Sequence, residues 1–156
     1  MVSIAALSRL GLRVPMPVLP RSEADVQWRG PQERHMTQML ENIRDLVLAP
    51  PANCERFHVV FLDRNRSYLG VSYFAAGRLD SYTLRLRELF ARALSLDARS
   101  MIVAHNHPSG DCRPSDHDIR ATQQVATQAN ALEIELIDHL IFTTSQVYSM
   151  RGRVTL

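Results

Sequence analysis

The chain has 156 residues, enough for one compact domain and too few for two ordinary ones. About 46% of the residues are hydrophobic and 22% are charged, a composition typical of a soluble globular protein. The formal net charge is only +2, carried by 18 arginines and no lysine, so charge alone does not favour nucleic-acid binding. No apolar run approaches the ~18 residues of a membrane span, and the first twenty residues do not form a secretory signal. We therefore expect a cytoplasmic protein.

Hydrophobic periodicity predicts an extended N-terminal arm over residues 1–31 and a single domain over residues 32–156. Four prolines and no sustained period characterise the arm. Periods of 3.6 and 2 residues then predict the elements of the domain. In chain order these are a helix over 36–47, strands over 57–62 and 67–74, a helix over 86–94, a strand over 101–104, a helix from Ser115, and strands over 133–142 and 146–150.

The predicted order α-β-β-α-β-α-β-β indicates an α/β fold. Strands joined by tight turns must be antiparallel, so we expect a mixed, mostly antiparallel sheet flanked by helices. In the third helix, apolar spacing predicts an inner face made of Ile119, Thr122, Ala126, Ala129 and Leu132.

A candidate metal site follows the last residue of the buried strand 101–104. His105 and His107 have a spacing that projects two imidazoles to the same side, where both can reach one ion at ~2.0–2.1 Å. Asp118, one turn into the following helix, can supply a third ligand. Two imidazoles and one carboxylate leave a fourth position open for water, as in catalytic zinc sites.

Each of these residues also has a structural interpretation. An isolated His-x-His pair usually binds nothing. Ser115 and Asp118 match a capping box, in which each side chain satisfies the backbone N–H of the other. A carboxylate bound to a metal ion points away from the helix N-cap, so we expect the two roles of Asp118 to exclude each other in part.

A hydrolase also needs a general base, and Glu55 is the candidate because it precedes an apolar strand. The alternative is an exposed glutamate at the start of a strand. Cys54 and Cys112 cannot form a disulfide framework, and two unrelated reduced thiols are the simplest interpretation. His139 is interpreted as structural, with a hydrogen bond close to the metal site as the alternative.

The spacing His-x-His, seven residues, Ser, two residues, Asp, with a glutamate upstream, resembles the JAMM motif of MPN/JAB-domain metalloproteases. Within that superfamily the chain resembles the RadC-like branch from about residue 34 to the C-terminus. The matching segments are Glu55 to Asp63, Arg87-Glu88, Ala104 to Gly110 and Asp138-His139-Leu140.

The resemblance implies an MPN/JAB-like domain and a zinc-dependent peptidase or isopeptidase that hydrolyses an amide bond with a metal-activated water. His105, His107 and Asp118 would bind Zn²⁺, Glu55 would take the proton from the water, and Ser115 would donate to the oxyanion. The substrate would be a protein or peptide, in the wider superfamily often one carrying a ubiquitin-like modifier.

The alternative function is a DNA-associated accessory protein of repair or mobile elements. The RadC-like branch carries a historical DNA-repair label, but the proline-rich first 30 residues do not match the helix-hairpin-helix region of its longer members. A nucleic-acid partner would need a basic face, and a homodimer is compatible with a domain of this size. The candidate basic face consists of Arg64, Arg66, Arg78, Arg85 and Arg87.

Overall fold

The computed structural model describes residues 31–50, 53–75 and 85–155. Residues 1–30, almost all of the predicted arm, lie outside the described residues. No helix in the described ranges is long and apolar enough to cross a membrane. The described elements are α1 (Pro31–Leu48), β1 (Arg56–Leu62), β2 (Tyr68–Ala75), α2 (Leu86–Ser95), β3 (Ser100–Asn106), α3 (Asp116–Ala131), β4 (Glu135–Phe142), β5 (Val147–Ser149) and β6 (Val154–Thr155).

The strands form one mixed sheet in the order β2-β1-β3-β4-β5-β6. Among the described strands, only β3 and β4 are parallel neighbours, and α3 makes the crossover between them, as parallel neighbours require. The other neighbouring strands are antiparallel. The predicted α/β fold with a mostly antiparallel sheet is therefore confirmed. The two-residue strand β6 was not predicted, because so short a segment has no detectable period.

Helices cover both faces of the sheet. Side chains alternate between the two faces along a strand, so β1 and β3 contribute to two separate hydrophobic clusters. Helix α1 packs on one face against Val60, Leu62, Ile102 and Ala104. Helices α2 and α3 pack on the other face against Val59, Phe61, Met101 and Val103. Within β3, His105 therefore projects to the α2/α3 face, whereas Asn106 projects to the α1 face.

The predicted inner face of α3 is correct at Ala129 and wrong at Ile119 and Leu132, because the helix is rotated relative to the prediction. The residues that α3 buries are Asp118, Ala121, Val125 and Ala129. Ile119 and Leu132 are each 40% exposed. The apolar stripe through Ile119 and Ala126 instead borders a cavity of about 500 Å³. The side of α3 that carries Asp118 faces inward instead, and the Asp118 carboxylate contacts the buried His105 and the half-buried His107.

One irregularity in the sheet changes which face the end of β4 presents. Met101 pairs with Leu136, but the next residue, Ile102, pairs with Asp138, so Ile137 is an extra residue in β4. A one-residue shift of this kind moves every later side chain to the opposite face. His139 consequently pairs with Val103 and faces α3; in an unshifted register it would face α1.

A leucine-to-alanine substitution is expected to lower the free energy of unfolding far more in the buried centre of the sheet than on the surface. Leu140→Ala in β4 removes a side chain that is 1% exposed, and we expect it to lower the free energy of unfolding by about 2–5 kcal/mol. Leu94→Ala in α2 removes one that is 57% exposed, so a change below about 0.5 kcal/mol is expected. Urea unfolding followed by circular dichroism measures both values; equal losses would contradict the assigned core.

Candidate metal centre

The three residues predicted to bind a metal ion meet where β3 ends and α3 begins. The Nε2 atoms of His105 and His107 lie 3.0 Å apart. Asp118 Oδ1 lies 3.2 Å from Nε2 of His105, and Asp118 Oδ2 lies 3.4 Å from Nε2 of His107. His105 and Asp118 are buried and His107 is half-buried. The structure therefore brings together the set of two histidines and one aspartate that can hold a metal ion.

The hydrogen bond on the far side of His107 decides which of its ring nitrogens can bind a cation. Nδ1 lies 2.7 Å from the carbonyl oxygen of Asp111, which only accepts, so Nδ1 carries a proton. In the neutral ring Nε2 then carries a lone pair, which faces His105 and Asp118. The loop can return to His107 in this way because Gly110 adopts a φ of 85°.

The donor set fits a small tetrahedral ion. Ligands at ~2.0–2.1 Å from such an ion lie roughly 3.3 Å from one another. The two Nε2 atoms lie 3.0 Å apart and Asp118 Oδ1 lies 3.2 Å from Nε2 of His105, both close to that value. One ligand atom from each of the three residues lies within 4.8 Å of the others. Imidazole and carboxylate ligands suit zinc among other divalent metals. In the chemistry of its donors and in their spacing, the site is compatible with a metal ion.

The pKa values of the two histidines shift in opposite directions. The hydrogen bond with Asp118 raises the pKa of His107, and the negative charge of Glu55 adds to the effect. Burial lowers the pKa of His105, against the opposing effects of Asp118 and Glu55. Burial alone would raise the pKa of Asp118, but its hydrogen bonds with both histidines outweigh burial and hold that pKa far below its usual range. The aspartate is therefore a carboxylate at neutral pH.

Asp118 makes the predicted capping box and also contacts the histidines, by using its two oxygens differently. Oδ2 accepts from the backbone N–H of Ser115 at 2.8 Å and from its hydroxyl at 2.6 Å. Oδ1 is the oxygen that faces His105. Capping through Oδ2 thus leaves Oδ1 directed at His105, and Oδ2 also lies 3.4 Å from Nε2 of His107. The expectation that capping and metal binding partly exclude each other stays a prediction.

The hydroxyl of Ser115 is engaged within the cap. It accepts from the backbone N–H of Asp118 at 3.2 Å and donates its proton to Asp118 Oδ2. Ser115 therefore lies directly beside a candidate metal ligand. Its predicted role as donor to an oxyanion stays a prediction, and that role requires the hydroxyl to rotate away from Asp118.

Glu55 lies beside the histidines, half-buried, immediately before β1. Phe57 pairs with His105, so extending this register by two residues brings Glu55 level with His107. Its charge acts on both histidines, as described above. The predicted position of Glu55 next to the candidate metal ligands is consistent with this arrangement, and its role as a base stays a prediction.

Asn106, which is not among the predicted site residues, fixes the backbone on both sides of Glu55. Its Nδ2 donates to the carbonyl oxygen of Cys54 at 3.0 Å, and its Oδ1 accepts from the N–H of Arg56 at 2.9 Å. The side chain is fully buried. The residue between the two histidines thus ties the segment that carries Glu55 to the strand that carries them.

A further histidine, His139, also contacts the site. Its Nε2 lies 2.8 Å from Nδ1 of His105, so the alternative of a hydrogen bond close to the metal site is correct. Burial lowers the pKa of His139 well below the usual value, and the positive charge that His105 would carry lowers it further. Phe57 stacks on the ring of His105 with centroids 4.4 Å apart. His105 is therefore held from two sides.

Cys54 is exposed and Cys112 is buried, and neither forms a disulfide, as expected for reduced thiols. Two arginines of the candidate basic face are engaged in ion pairs. Arg66 lies 2.6 Å from Glu135, and Arg85 lies 2.9 Å from Glu88. Arg78 lies outside the described residues.

The family model for the RadC-like JAB domain matches residues 32–155. This chain belongs to that family. The match covers both histidines, Asp118, Ser115 and Glu55, and it confirms the resemblance seen in the sequence.

Similar proteins carry the name UPF0758 protein, which states no activity. One from Chloroflexus aggregans is 32% identical over 124 residues, covering 78% of this chain and 54% of the relative. One from Rhodobacter capsulatus is 42% identical over 98 residues, covering 63% of this chain and 46% of the relative. One from Paraburkholderia xenovorans is 41% identical over 95 residues, covering 61% of this chain and 38% of the relative. The chain thus spans about half the length, or less, of these relatives.

Because the side-chain amide of Asn106 makes two hydrogen bonds, we expect its removal to lower the free energy of unfolding. Asn106→Leu removes the partner of the part-buried N–H of Arg56 and of the carbonyl of Cys54, and we expect it to lower the free energy of unfolding by about 1–3 kcal/mol. Asn130→Leu makes the same change at an exposed position of α3 and serves as the control. Chemical denaturation of both variants measures the difference, and equal stabilities would show that the bonds of Asn106 contribute nothing.

Proposed function

We propose that this RadC-like JAB domain is a zinc-dependent amide hydrolase, a metallopeptidase or isopeptidase. The observation that carries the proposal is the convergence of two imidazole nitrogens and a carboxylate within 3.4 Å, beside a glutamate. Three such donors cost free energy when they face one another in a buried position without a positive charge between them.

When bound by His105, His107 and Asp118, a zinc ion supplies Lewis-acid polarisation and makes water more acidic. The proton that the water loses needs a nearby acceptor, and Glu55 is the carboxylate beside the site. In the proposed reaction the water oxygen bonds to the carbonyl carbon while Glu55 takes the proton. Glu55 then gives that proton to the amide nitrogen as the carbon–nitrogen bond breaks, so the base is regenerated.

Ser115 is proposed to stabilise the negative charge that develops on the carbonyl oxygen. Its hydroxyl would rotate from Asp118 Oδ2 to the substrate oxygen. The carboxylate keeps a hydrogen bond during this exchange, because the backbone N–H of Ser115 also donates to Oδ2. The rotation therefore removes one of two donors and leaves the capped aspartate in position.

The proposed substrate is a protein or peptide amide that follows small residues, such as the Gly-Gly tail of a ubiquitin-like modifier. This choice rests on the resemblance to metalloproteases of the JAMM type. A cytoplasmic location is part of the proposal, and two cysteines without a disulfide fit a reducing compartment.

Replacing Glu55 separates metal binding from chemistry. Zinc-loaded wild-type protein is expected to cleave a ubiquitin fusion whose scissile amide follows Gly-Gly, or members of a degenerate peptide library. Glu55→Gln is expected to keep its zinc and lose at least about 100-fold in kcat, because general acid–base catalysis contributes roughly 10²–10⁴-fold. Mass spectrometry of the products and elemental analysis of the protein give the two readouts.

Glu41→Gln is the matched control, since it neutralises an exposed carboxylate of α1 and should change neither readout. Undiminished cleavage by Glu55→Gln would contradict the role of Glu55. A zinc-loaded wild type that cleaves neither the fusion nor any library member would contradict the hydrolase proposal.

A further inference from the structure

A buried chain of hydrogen bonds runs from one candidate metal ligand to another behind the site. Nδ1 of His105 lies 2.8 Å from Nε2 of His139, and Nδ1 of His139 lies 2.6 Å from Oγ1 of Thr122. Thr122 Oγ1 lies 2.6 Å from the backbone carbonyl oxygen of Asp118. The chain thus begins at His105, passes through two residues with no assigned role, and ends on the backbone of Asp118.

The donors and acceptors of this chain define its direction. The carbonyl of Asp118 only accepts, so Thr122 donates its single proton there. Oγ1 of Thr122 then accepts from Nδ1 of His139, which leaves Nε2 of the neutral His139 ring as an acceptor. Nε2 of His139 accepts from Nδ1 of His105. The remaining nitrogen of His105, Nε2, consequently carries a lone pair that faces His107 and Asp118.

The opposite direction places a proton where the ion would bind. If Thr122 donated to His139, then Nε2 of His139 would donate to His105, and Nε2 of His105 would carry the proton. That proton would point at Nε2 of His107, 3.0 Å away. The other acceptor near Thr122 is Met150 Sδ at 3.3 Å, and donation to that sulfur also keeps the hydroxyl proton off His139.

We infer that Thr122 and His139 are positioning residues that hold His105 as the Nδ1–H tautomer and aim its Nε2 at the metal ion. The inference rests on the proposed function, because it concerns the ligands of the same site. Metal-binding histidines commonly donate their other ring N–H to a fixed partner, which sets tautomer and orientation. Here that partner is an imidazole whose own tautomer is set by a threonine on the helix that carries Asp118.

The fold contributes to this arrangement at the extra residue of β4. Ile137 shifts the register between β3 and β4, so that His139 shares a face with His105 and α3. His139 is 2% exposed, and the rotation of α3 that directs Asp118 inward also brings Thr122 onto it. This hydrogen-bond chain therefore depends on both the register of β3 with β4 and the rotation of α3.

Zinc affinity of the full chain tests the inference, measured by competition with a chromophoric chelator. Loss of such a partner typically costs about 10–100-fold in metal affinity, and we expect losses in this range for His139→Leu and Thr122→Val. Thr122→Ser keeps the hydroxyl and should restore wild-type affinity. Thr127→Val is the matched control, because Thr127 also donates to a carbonyl one turn earlier in α3 but is exposed.

Two-bond ¹H–¹⁵N spectra of the histidine rings in the zinc-loaded protein give a second readout. We expect His105 and His139 both to carry the proton on Nδ1. In Thr122→Val, which is close in shape to wild type, His139 is expected to lose its fixed tautomer. This variant keeps the test decisive if His139→Leu does not fold.

The outcomes distinguish the inference from the proposed function. Wild-type zinc affinity in both Thr122→Val and His139→Leu would overturn the inference and leave the metal site standing. Spectra in which neither His105 nor His139 carries its proton on Nδ1 would do the same. A wild-type chain that binds zinc no better than His107→Ala would overturn the metal site and the inference together.

Discussion

Two imidazole nitrogens and a carboxylate face one another at the end of β3, with one oxygen of Asp118 3.2 Å from His105 and the other 3.4 Å from His107, and the surrounding structure keeps them there. Outside a metal site, three electron-pair donors would be expected to separate or to share a proton. Each donor is instead held from behind: His107 by the carbonyl of Asp111, His105 by His139 and Phe57, and Asp118 by the capping box at Ser115. The fold thus holds the three side chains close enough together to bind one ion.

These contacts explain why the site lies at this position in the fold. Parallel pairing of β3 with β4 requires a crossover helix, and the N-terminus of that helix, α3, lies close to the end of β3. A short loop with Gly110 at positive φ connects the two, so ligands eleven and thirteen residues apart meet. Antiparallel pairing of β1 with β3 brings Glu55 to the same edge, and Asn106 ties its segment there.

The order of the elements and the donors of the site were predictable from the sequence, because apolar periods and the spacing of His105, His107, Ser115 and Asp118 are local signals. Three features were not. The rotation of α3 depends on Asp118 pointing inward, which hydrophobicity does not indicate. Asp118 accepts from Ser115 through Oδ2 while Oδ1 faces His105, and this arrangement depends on the position of His105. The contact of His139 depends on an extra residue in β4, and its one local signal was a pair of adjacent polar residues, Asp138 and His139, within an apolar strand.

Anomalous diffraction at the zinc edge, from crystals of the zinc-loaded chain, shows directly where zinc binds. We expect one peak at ~2.0–2.2 Å from Nε2 of His105, Nε2 of His107 and Oδ1 of Asp118, with Oδ2 of Asp118 still bound to Ser115. A chain without a peak at this position, or one in which zinc binds only elsewhere, would contradict the claim that these three residues form a metal centre.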